Sequence, residues 1–200
     1  MKKTSLALFD FDGTITKKDS LVDFLLFDLG KFKFFFGFLL LSPLVILYLL
    51  KIYPQKRMKE TIITFFYKGR SIEEFKKSCE IYGQRKLPKI IRPEAQAKIN
   101  WHLKNGHEVV IVTATFKYYI EEWCQKQNIK LIASKVGVKN NLITGKVIGQ
   151  VCAGKEKVRR IKEFYTVNNF KRIYAYGNSR GDLPMLDLAQ EKFFNWKKVL

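Results

Sequence analysis

The sequence SLALFDFDGT at residues 5–14 decides the fold, because a short apolar run ends there in Asp10, Asp12 and Gly13. The run over residues 5–9 predicts a buried parallel strand, so Asp10 stands at the strand's carboxyl end. Two carboxylates two residues apart project to opposite sides of an extended chain, but a turn at Gly13 can redirect the second toward the same site. Such a pair suits a nucleophile and a separate acid/base.

An Asp-x-Asp-Gly string also begins calcium-binding loops and plain turns. A calcium loop counted from Asp10 needs a Glu at its twelfth position, and Leu21 stands there. We therefore exclude the calcium loop, and the meaning of the string depends on what the rest of the chain brings to the same place.

Two further apolar runs end in polar residues in the same way. Residues 108–112 precede Thr113, and residues 172–176 precede Gly177 and Asn178. Apolar residues at three- and four-residue spacing predict helices between these strands, over 93–105, 117–127 and 155–165. Alternating strands and helices predict an α/β fold with a Rossmann-like parallel sheet, whose ligand site lies beyond the carboxyl ends of the strands.

The rest of the chain departs from this alternation. Residues 17–90 read as consecutive helices, which predicts a small helical cap inserted after the first strand into a core made of residues 1–16 and 91–200. Residues 134–149 carry two β-rich pieces around Lys139-Asn140-Asn141, which predicts a hairpin appended to the sheet.

Charge is the unusual bulk property of the chain. It has 37 Lys+Arg against 18 Asp+Glu, a net charge of +19 that favours anionic partners such as nucleic acid, anionic membrane or anionic substrates. We expect no nucleic acid, since no finger spacing, RNA-recognition motif or basic tail is present. Three scattered cysteines fit a reducing, cytoplasmic compartment, and Asp10 and Asp12 interrupt the initial apolar run too early for a secretion signal.

The predicted strand ends carry groups suited to phosphoryl transfer, which needs in-line positioning and positive charge around the phosphate oxygens. Thr113 offers a hydroxyl and a backbone amide, and Lys155 or Lys157 offers a positive charge at a helix start. Asn178 and Asp182 offer hard oxygen ligands for Mg²⁺.

Four motifs in this order, DFDGT, VVIVTAT, GKEKV and YGNSRGD, resemble those of the haloacid dehalogenase superfamily, and most closely its subfamily IB, the phosphoserine-phosphatase-like branch. The resemblance implies that Asp10 forms an aspartyl-phosphate and that Asp12 protonates the leaving group and then activates water. It also implies the remaining site residues, which are phosphate-binding Thr113, Ala114 and one of Lys155 and Lys157, and Mg²⁺-binding Asp10, Asp12, Asn178 and Asp182. Many members carry Asp where this chain has Asn178, so we expect weaker magnesium binding, with Asp182 carrying more of it.

Residues 34–50, FFFGFLLLSPLVILYLL, contain no charge and are bracketed by Lys31, Lys33 and Lys51. A single membrane crossing would separate Asp10 from Asp182, and Ser42-Pro43 predicts a break into two short helices. We therefore expect a hairpin that dips into one leaflet, with the lysines at head-group level, on the inner face of the membrane. The alternative is a buried cap core or a dimer contact.

This part of the cap also resembles bacterial phosphatidylglycerophosphatases of the same superfamily, which implies a phospholipid head group as substrate. A soluble phosphatase acting on a small metabolite such as phosphoserine is the second hypothesis, and a non-catalytic basic binding protein the third. The sequence does not predict an oligomeric state.

Two cap residues are further substrate candidates. Asp19 lies where phosphoserine phosphatases place an acidic residue near the substrate amine, although it also precedes a predicted helix start, where an N-cap is the ordinary role. Arg70 is either a phosphate- or carboxylate-binding residue or an exposed loop residue. His102 and His107 lie too far from the motifs to act as ligands.

Overall fold

A six-stranded sheet forms the centre of the molecule in a computed structural model that describes residues 4–199. Within these residues the strands are β1 (Leu6–Phe9), β2 (Glu108–Phe116), β3 (Lys130–Ser134), β4 (Val136–Lys139), β5 (Leu142–Val147), β6 (Ile173–Gly177), β7 (Glu191–Phe194) and β8 (Lys197–Val199). The sheet order is β3-β2-β1-β6-β7-β8, and only β8 runs antiparallel to its neighbour. The predicted α/β fold with a mostly parallel sheet is confirmed.

Strand β1 lies at the centre of this sheet between β2 and β6. All four of its residues are completely buried, because the sheet packs against helices on both faces. Phe9 is in register with Ile111 of β2 and with Tyr176 of β6. The parallel register therefore brings the residues that follow the three strands to one edge of the sheet.

Eight helices complete the described part of the chain. They are α1 (Ser20–Leu49), α2 (Gln55–Tyr67), α3 (Ile72–Arg85), α4 (Leu87–Ile90), α5 (Pro93–Lys104), α6 (Glu121–Lys126), α7 (Lys155–Phe164) and α8 (Leu183–Leu186). The predicted helix over 117–127 is instead a 3₁₀ turn at Lys117–Tyr119 followed by the short α6. Strands β3, β7 and β8 were not predicted.

The predicted hairpin exists as β4 and β5, but its predicted attachment to the main sheet is wrong. The two strands form a separate antiparallel sheet that packs on α2. Backbone hydrogen bonds join it to the α2–α3 connection, where Gly69 N donates to Ile143 O over 2.9 Å and Ile143 N donates to Arg70 O over 3.0 Å. The α2–α3 connection thus supplies the polar partners for one edge of the hairpin.

The predicted break at Ser42-Pro43 is also wrong. Residues 34–49 continue as helix through Pro43, and the non-helical residue of α1 is Gly30, with φ 74° and ψ 165°. Only a glycine adopts this conformation readily, so the change of direction falls there. The hairpin of this region is formed by the second half of α1 returning as α2, outside the segment where it was predicted.

The second half of helix α1 presents most of its apolar surface to solvent. By length and composition alone α1 is long and apolar enough to cross a membrane. Its most apolar 18-residue window has a mean hydropathy of 2.1, yet only 17% of that window is buried. Phe34, Gly37 and Leu41 are buried on its inner side. The alternative that residues 34–50 form a buried cap core does not fit, because a core helix hides most of its apolar side chains.

Candidate active site

A cavity of about 450 Å³ lies at the carboxyl edge of the sheet. The core lines it with seven of the predicted site residues: Asp10, Asp12, Thr113, Ala114, Lys157, Asn178 and Asp182. Helices α1 and α2 form the opposite wall. Side chains more than a hundred residues apart in sequence thus share one cavity, as expected at the strand ends of a parallel sheet.

Lys157 lies at the bottom of this cavity between two carboxylates. Its Nζ is 2.6 Å from Asp10 Oδ1 and 2.6 Å from Asp182 Oδ1, and its side chain is 2% exposed. Charge-assisted hydrogen bonds of this length fix all three groups. The buried Asp10–Lys157–Asp182 cluster links β1, α7 and the loop after β6.

The helical geometry of α7 decides between the two candidate lysines. Lys155 is the first residue of the helix and is exposed, whereas Lys157 is buried. Residues two apart on a helix point about 200° from one another, so only one of the pair can face the site. Of the two candidates, Lys157 is therefore the one that lines the cavity.

The three charged groups of the cluster respond differently to their shared burial. Burial acts to lower the pKa of Lys157, but Asp10 and Asp182 outweigh it and raise that pKa. Burial raises the pKa of Asp10 despite Lys157, and the nearby Asp182 adds to the effect. Burial also acts to raise the pKa of Asp182, yet Lys157 and hydrogen bonds from Ser179 bring it below its usual range. Asp182 is thus the better stabilised carboxylate of the two.

We predicted Asp182 as a magnesium ligand, but its carboxylate oxygens contact other groups of the protein. Its Oδ1 is bonded to Lys157, and its Oδ2 accepts hydrogen bonds from Asn178 N at 3.1 Å, Ser179 N at 2.9 Å and Ser179 Oγ at 2.7 Å. Both oxygens are occupied, so the carboxylate orders the loop after β6 and holds Lys157.

A group of oxygens beside Asp10 fits a magnesium ion better. The side-chain amide of Asn178 places one atom 3.1 Å from Thr14 Oγ1, 3.2 Å from the Asp12 carbonyl oxygen and 3.3 Å from Asp10 Oδ2. With the nitrogen there, the two N–H groups of Asn178 point toward these three acceptor oxygens; with the oxygen there, a bound cation relieves the repulsion between the oxygens. Neighbouring ligands of an octahedral Mg²⁺ lie about 2.9 Å apart, given ligand distances of about 2.0–2.1 Å.

Side chains alone do not make this cation site. Among residues 4–199, no group of three or more His, Cys, Asp or Glu side chains is close enough to hold a metal ion. Asp10 Oδ2, the Asp12 carbonyl and the Asn178 amide are instead the oxygens that fit a small hard cation, which can take backbone and amide oxygens in addition to a carboxylate.

The Asp12 carboxylate lies in the same cavity as Asp10 and is held at the start of α1. Its Oδ1 accepts a hydrogen bond from Ser20 N over 2.8 Å. Burial, with a contribution from the nearby Asp19, raises the pKa of Asp12 to about 7. A carboxyl with this pKa can donate a proton near neutral pH and take one back, as a general acid/base must.

The phosphate-binding candidates of β2 lie beside Asp10. Thr113 and Ala114 both line the cavity, and the Thr113 Oγ1 accepts a hydrogen bond from Thr115 N over 3.1 Å. The register of β2 with β3 is irregular between Thr113 and Phe116. An irregularity of this kind frees backbone groups from the sheet and directs them into a site.

Of the two further substrate candidates, Asp19 lines the cavity and Arg70 does not. Asp19 is exposed at the rim of the cavity and caps α1, where its Oδ1 accepts a hydrogen bond from Val22 N over 3.0 Å. Arg70 does not line the cavity. It donates to Asp28 over 2.6 Å and to Ser78 over 2.8 Å, and these bonds join α1 to α3 and lend no support to a role in substrate binding.

The histidines lie at the opposite end of the core, away from the cavity. His102 is fully buried and bonded to the Tyr176 hydroxyl over 2.9 Å and to His107 over 2.8 Å. Burial lowers the pKa of His102 to about 3. Both are structural residues, as the sequence suggested.

From the sequence we missed the one other lysine that lines the cavity within residues 4–199, namely Lys59 of α2. The signal for it was present in the sequence, because Gln55, Met58, Lys59 and Ile62 follow the spacing of one helix face. All four line the cavity. A lysine beside Met58 and Ile62 on one helix face was the signal for this residue.

Comparison with known proteins agrees with this geometry. The model of the family described as haloacid dehalogenase-like hydrolase matches residues 7–187. Protein CicA of Caulobacter vibrioides (strain NA1000 / CB15N) is 30% identical over 194 residues, which cover 94% of this chain and 84% of that protein.

Solved structures show the same fold. A protein of unknown function from Bordetella pertussis Tohama I superposes with a TM-score of 0.83 at 19% identity, over 96% of this chain and 90% of that one. A phospho-aspartyl intermediate analogue of phosphoserine phosphatase superposes with a TM-score of 0.67 at 17% identity, over 96% and 87%. With the family model matched over most of its length, the chain belongs to the haloacid dehalogenase-like hydrolases and is an enzyme of that family.

Proposed function

We propose that this hydrolase is a magnesium-dependent phosphatase that cleaves phosphomonoesters through an aspartyl-phosphate on Asp10. The observation that carries the proposal is the buried Asp10–Lys157–Asp182 cluster, which lies in one cavity with Asp12. The cluster holds a carboxylate nucleophile against a fixed positive charge. A second carboxyl, suited to proton transfer, lies in the same cavity.

The reaction has two displacements at phosphorus. An Asp10 carboxylate oxygen attacks the phosphorus, the bond to the leaving alcohol oxygen breaks, and Asp12 donates its proton to that oxygen. Water then attacks the phosphorus of the aspartyl-phosphate, Asp12 takes the proton of the water, and the bond to Asp10 breaks to release inorganic phosphate. Lys157, Thr113 and the Ala114 backbone bind the phosphoryl oxygens as the charge on them develops.

Asp10, the Asp12 carbonyl oxygen and Asn178 would hold the magnesium ion, as their mutual distances allow. When bound, Mg²⁺ supplies positive charge to the phosphoryl oxygens and favours the ionised form of Asp10. Asn178 contributes a neutral oxygen where many members have a carboxylate, so the affinity for the ion should be correspondingly weaker.

Replacing Gly13 by alanine should weaken this site. Gly13 has a φ of +80°, and a Cβ there would lie 2.2 Å from the side-chain nitrogen of Asn178. Asn178 must therefore move, and we expect G13A to lower activity at least about tenfold and to raise the Mg²⁺ concentration needed for half-maximal activity. A magnesium titration of arylphosphatase activity measures both effects.

Gly106 offers a matched control for that variant. Its φ is +67°, and no atom lies within 4 Å of the position that an added Cβ would take. G106A should therefore lower the free energy of unfolding by about 1 kcal/mol, as strain in the left-handed region does, and leave the magnesium requirement unchanged. Equal magnesium dependence in G13A and G106A would contradict the role given to the Gly13–Asn178 contact.

We further propose that the substrate is a phospholipid head group such as phosphatidylglycerophosphate, with residues 17–90 acting as the cap. One helix supports this, because α1 both lines the cavity and carries the exposed apolar surface. Phe38, Val45, Tyr48 and Leu49 line the cavity, and Leu49 is also 70% exposed. An amphiphile could keep its chains on the outer face while its phosphate reaches Asp10.

The runner-up is a soluble phosphatase for a small phosphorylated metabolite, which Asp19 at the rim favours as a partner for an amine. Phosphatidylglycerophosphate, lysophosphatidate and phosphoserine, assayed side by side with Mg²⁺ or with EDTA, separate the hypotheses. We expect magnesium-dependent turnover with the highest kcat/KM on a lipid substrate. Phosphoserine as the best substrate would favour the runner-up, and turnover of none would favour a non-catalytic basic binding protein.

The protein should bind anionic bilayers from one side through α1. Its outer face carries exposed Phe32, Phe35, Phe36, Leu39 and Leu40, next to Lys31 and Lys33. Apolar insertion and attraction of cations to anionic lipid act together at such a surface, in a protein of net charge +19. In flotation with phosphatidylglycerol-containing vesicles, the wild type should float and F35E/F36E should remain largely unbound.

Phe164 provides the control, since it is an equally exposed phenylalanine on α7 of the core. F164E should float like the wild type. Equal flotation of F35E/F36E and F164E, or a wild-type protein that stays monomeric and unbound without detergent, would contradict the membrane role of α1.

A further inference from the structure

Two cationic side chains line the cavity within residues 4–199, and the proposed reaction uses only one of them. Lys157 gives two of its three N–H donors to Asp10 and Asp182, which leaves one for the transferred phosphoryl group. Lys59 lines the same cavity from α2, and in the described part of the chain its Nζ has neither a hydrogen-bond acceptor nor an ion-pair partner. The Nζ lies over the Phe116 ring, 5.2 Å from the centroid. A cation over a ring face remains a full positive charge.

Lys59 stands on the apolar face of its helix. Met58 and Ile62 on either side of it are buried and line the cavity too. Burial lowers the pKa of Lys59, although the charges of Asp19 and Asp12 oppose this effect. Holding an ammonium group among apolar side chains is costly unless an anion meets it.

The two carboxylates that act on Lys59 accept hydrogen bonds from other groups. The Asp12 carboxylate accepts the backbone N–H of Ser20, and the Asp19 carboxylate accepts that of Val22. Both thus cap the amino-terminal end of α1, where acidic groups are stabilised. Lys59 keeps its donors for a group that enters the cavity.

We propose that Lys59 binds a second anionic group of the substrate, distinct from the phosphate that Asp10 attacks. This inference rests on the proposed phosphatase function and narrows the substrate class to phosphomonoesters that also carry a phosphodiester or a carboxylate. The role sought for Arg70 in the sequence thus passes to Lys59. Lys59 acts on specificity and takes no part in bond breaking.

Matched substrate pairs test this role in the full-length protein with Mg²⁺. Phosphatidylglycerophosphate carries a phosphodiester that lysophosphatidate lacks, and phosphoserine carries a carboxylate that phosphoethanolamine lacks. We expect K59M to raise KM for the doubly anionic member of the preferred pair by roughly tenfold or more, as loss of a charged hydrogen bond does. Its kcat should change little, and KM for the other member should stay the same.

Three variants complete the test. K59R keeps the charge and should recover most of the affinity, whereas K56M changes a lysine on the same helix that does not line the cavity and should match the wild type. K59Q gives the same comparison should K59M fail to fold. If the Lys59 variants lower kcat/KM equally for both members of each pair, Lys59 acts on Asp12 or on the fold, and the inference is overturned. Wild-type turnover of none of the four substrates would overturn the phosphatase proposal itself.

Discussion

D10N should lose phosphatase activity by at least about 10³-fold, the loss expected when a covalent nucleophile is removed. The amide oxygen of asparagine is uncharged and a poor nucleophile, and it cannot form the aspartyl-phosphate. The shape of the side chain is unchanged, and Lys157 keeps its 2.6 Å contact with Asp182, so the fold should persist. Hydrolysis of an aryl phosphate in magnesium buffer, with circular dichroism of both proteins, measures the two effects.

D12N is the informative companion to D10N. It leaves the nucleophile in place and removes the proton donor, so an aryl phosphate, whose leaving group needs little protonation, should still phosphorylate Asp10. Quenched reactions with ³²P-labelled substrate should then trap covalent label on D12N and none on D10N. Retained turnover in D10N would exclude the mechanism.

K157M should lower both activity and stability, while K155M should change neither. The lysine at 157 is the sole cation between two buried carboxylates, and deleting one member of such a cluster typically costs about 3–5 kcal/mol. Activity should fall at least about 10²-fold with the loss of the charge beside the phosphate. Urea unfolding and arylphosphatase assays of the two variants compare residues two positions apart on α7.

The stability lost in K157M should depend on pH. In the wild type the folded-state pKa of Asp182 is lowered, so its contribution is present above the unfolded value near 3.8 and is lost as the pH falls through the folded pKa. Without Lys157, burial raises the folded pKa of Asp182 instead, so the variant loses stability as the pH rises through that pKa. The difference between the two proteins should be larger at pH 7 than at pH 4. An equal difference at both pH values would contradict the ion-pair explanation.

Several features of the site followed from local sequence. The apolar run before Asp10 and the order of the four motifs predicted the central strand, the parallel sheet and the edge at which the site lies. These features depend on periodicity and on residues at strand ends, and both are properties of short segments. The same reasoning predicted α5 and α7 to within a residue at each end.

Other features depended on which side chains meet. Nothing in GKEKV distinguishes Lys155 from Lys157 until the phase of α7 against β1 is known, because the contact of Lys157 with Asp10 spans 147 positions. We predicted Asp182 as a metal ligand because carboxylates commonly bind Mg²⁺. Its two oxygens, however, already accept four hydrogen bonds from the protein. Arg70 forms an ion pair with Asp28, and this contact exists only because α1 packs against the α2–α3 connection.

For the apolar segment at residues 34–50, too, local sequence predicted one part of the structure and missed another. Its composition favoured a membrane-dipping hairpin broken at Ser42-Pro43, with a buried cap core or a dimer contact as the alternative. The bend lies instead at Gly30, whose positive φ of 74° a glycine adopts readily. The sequence by itself thus determined the fold class, the site's edge and its chemical type. Only the tertiary structure decided which lysine faces Asp10, what Asp182 binds and that Lys59 enters the cavity, because helix phase and sheet register, which no local pattern encodes, set those contacts.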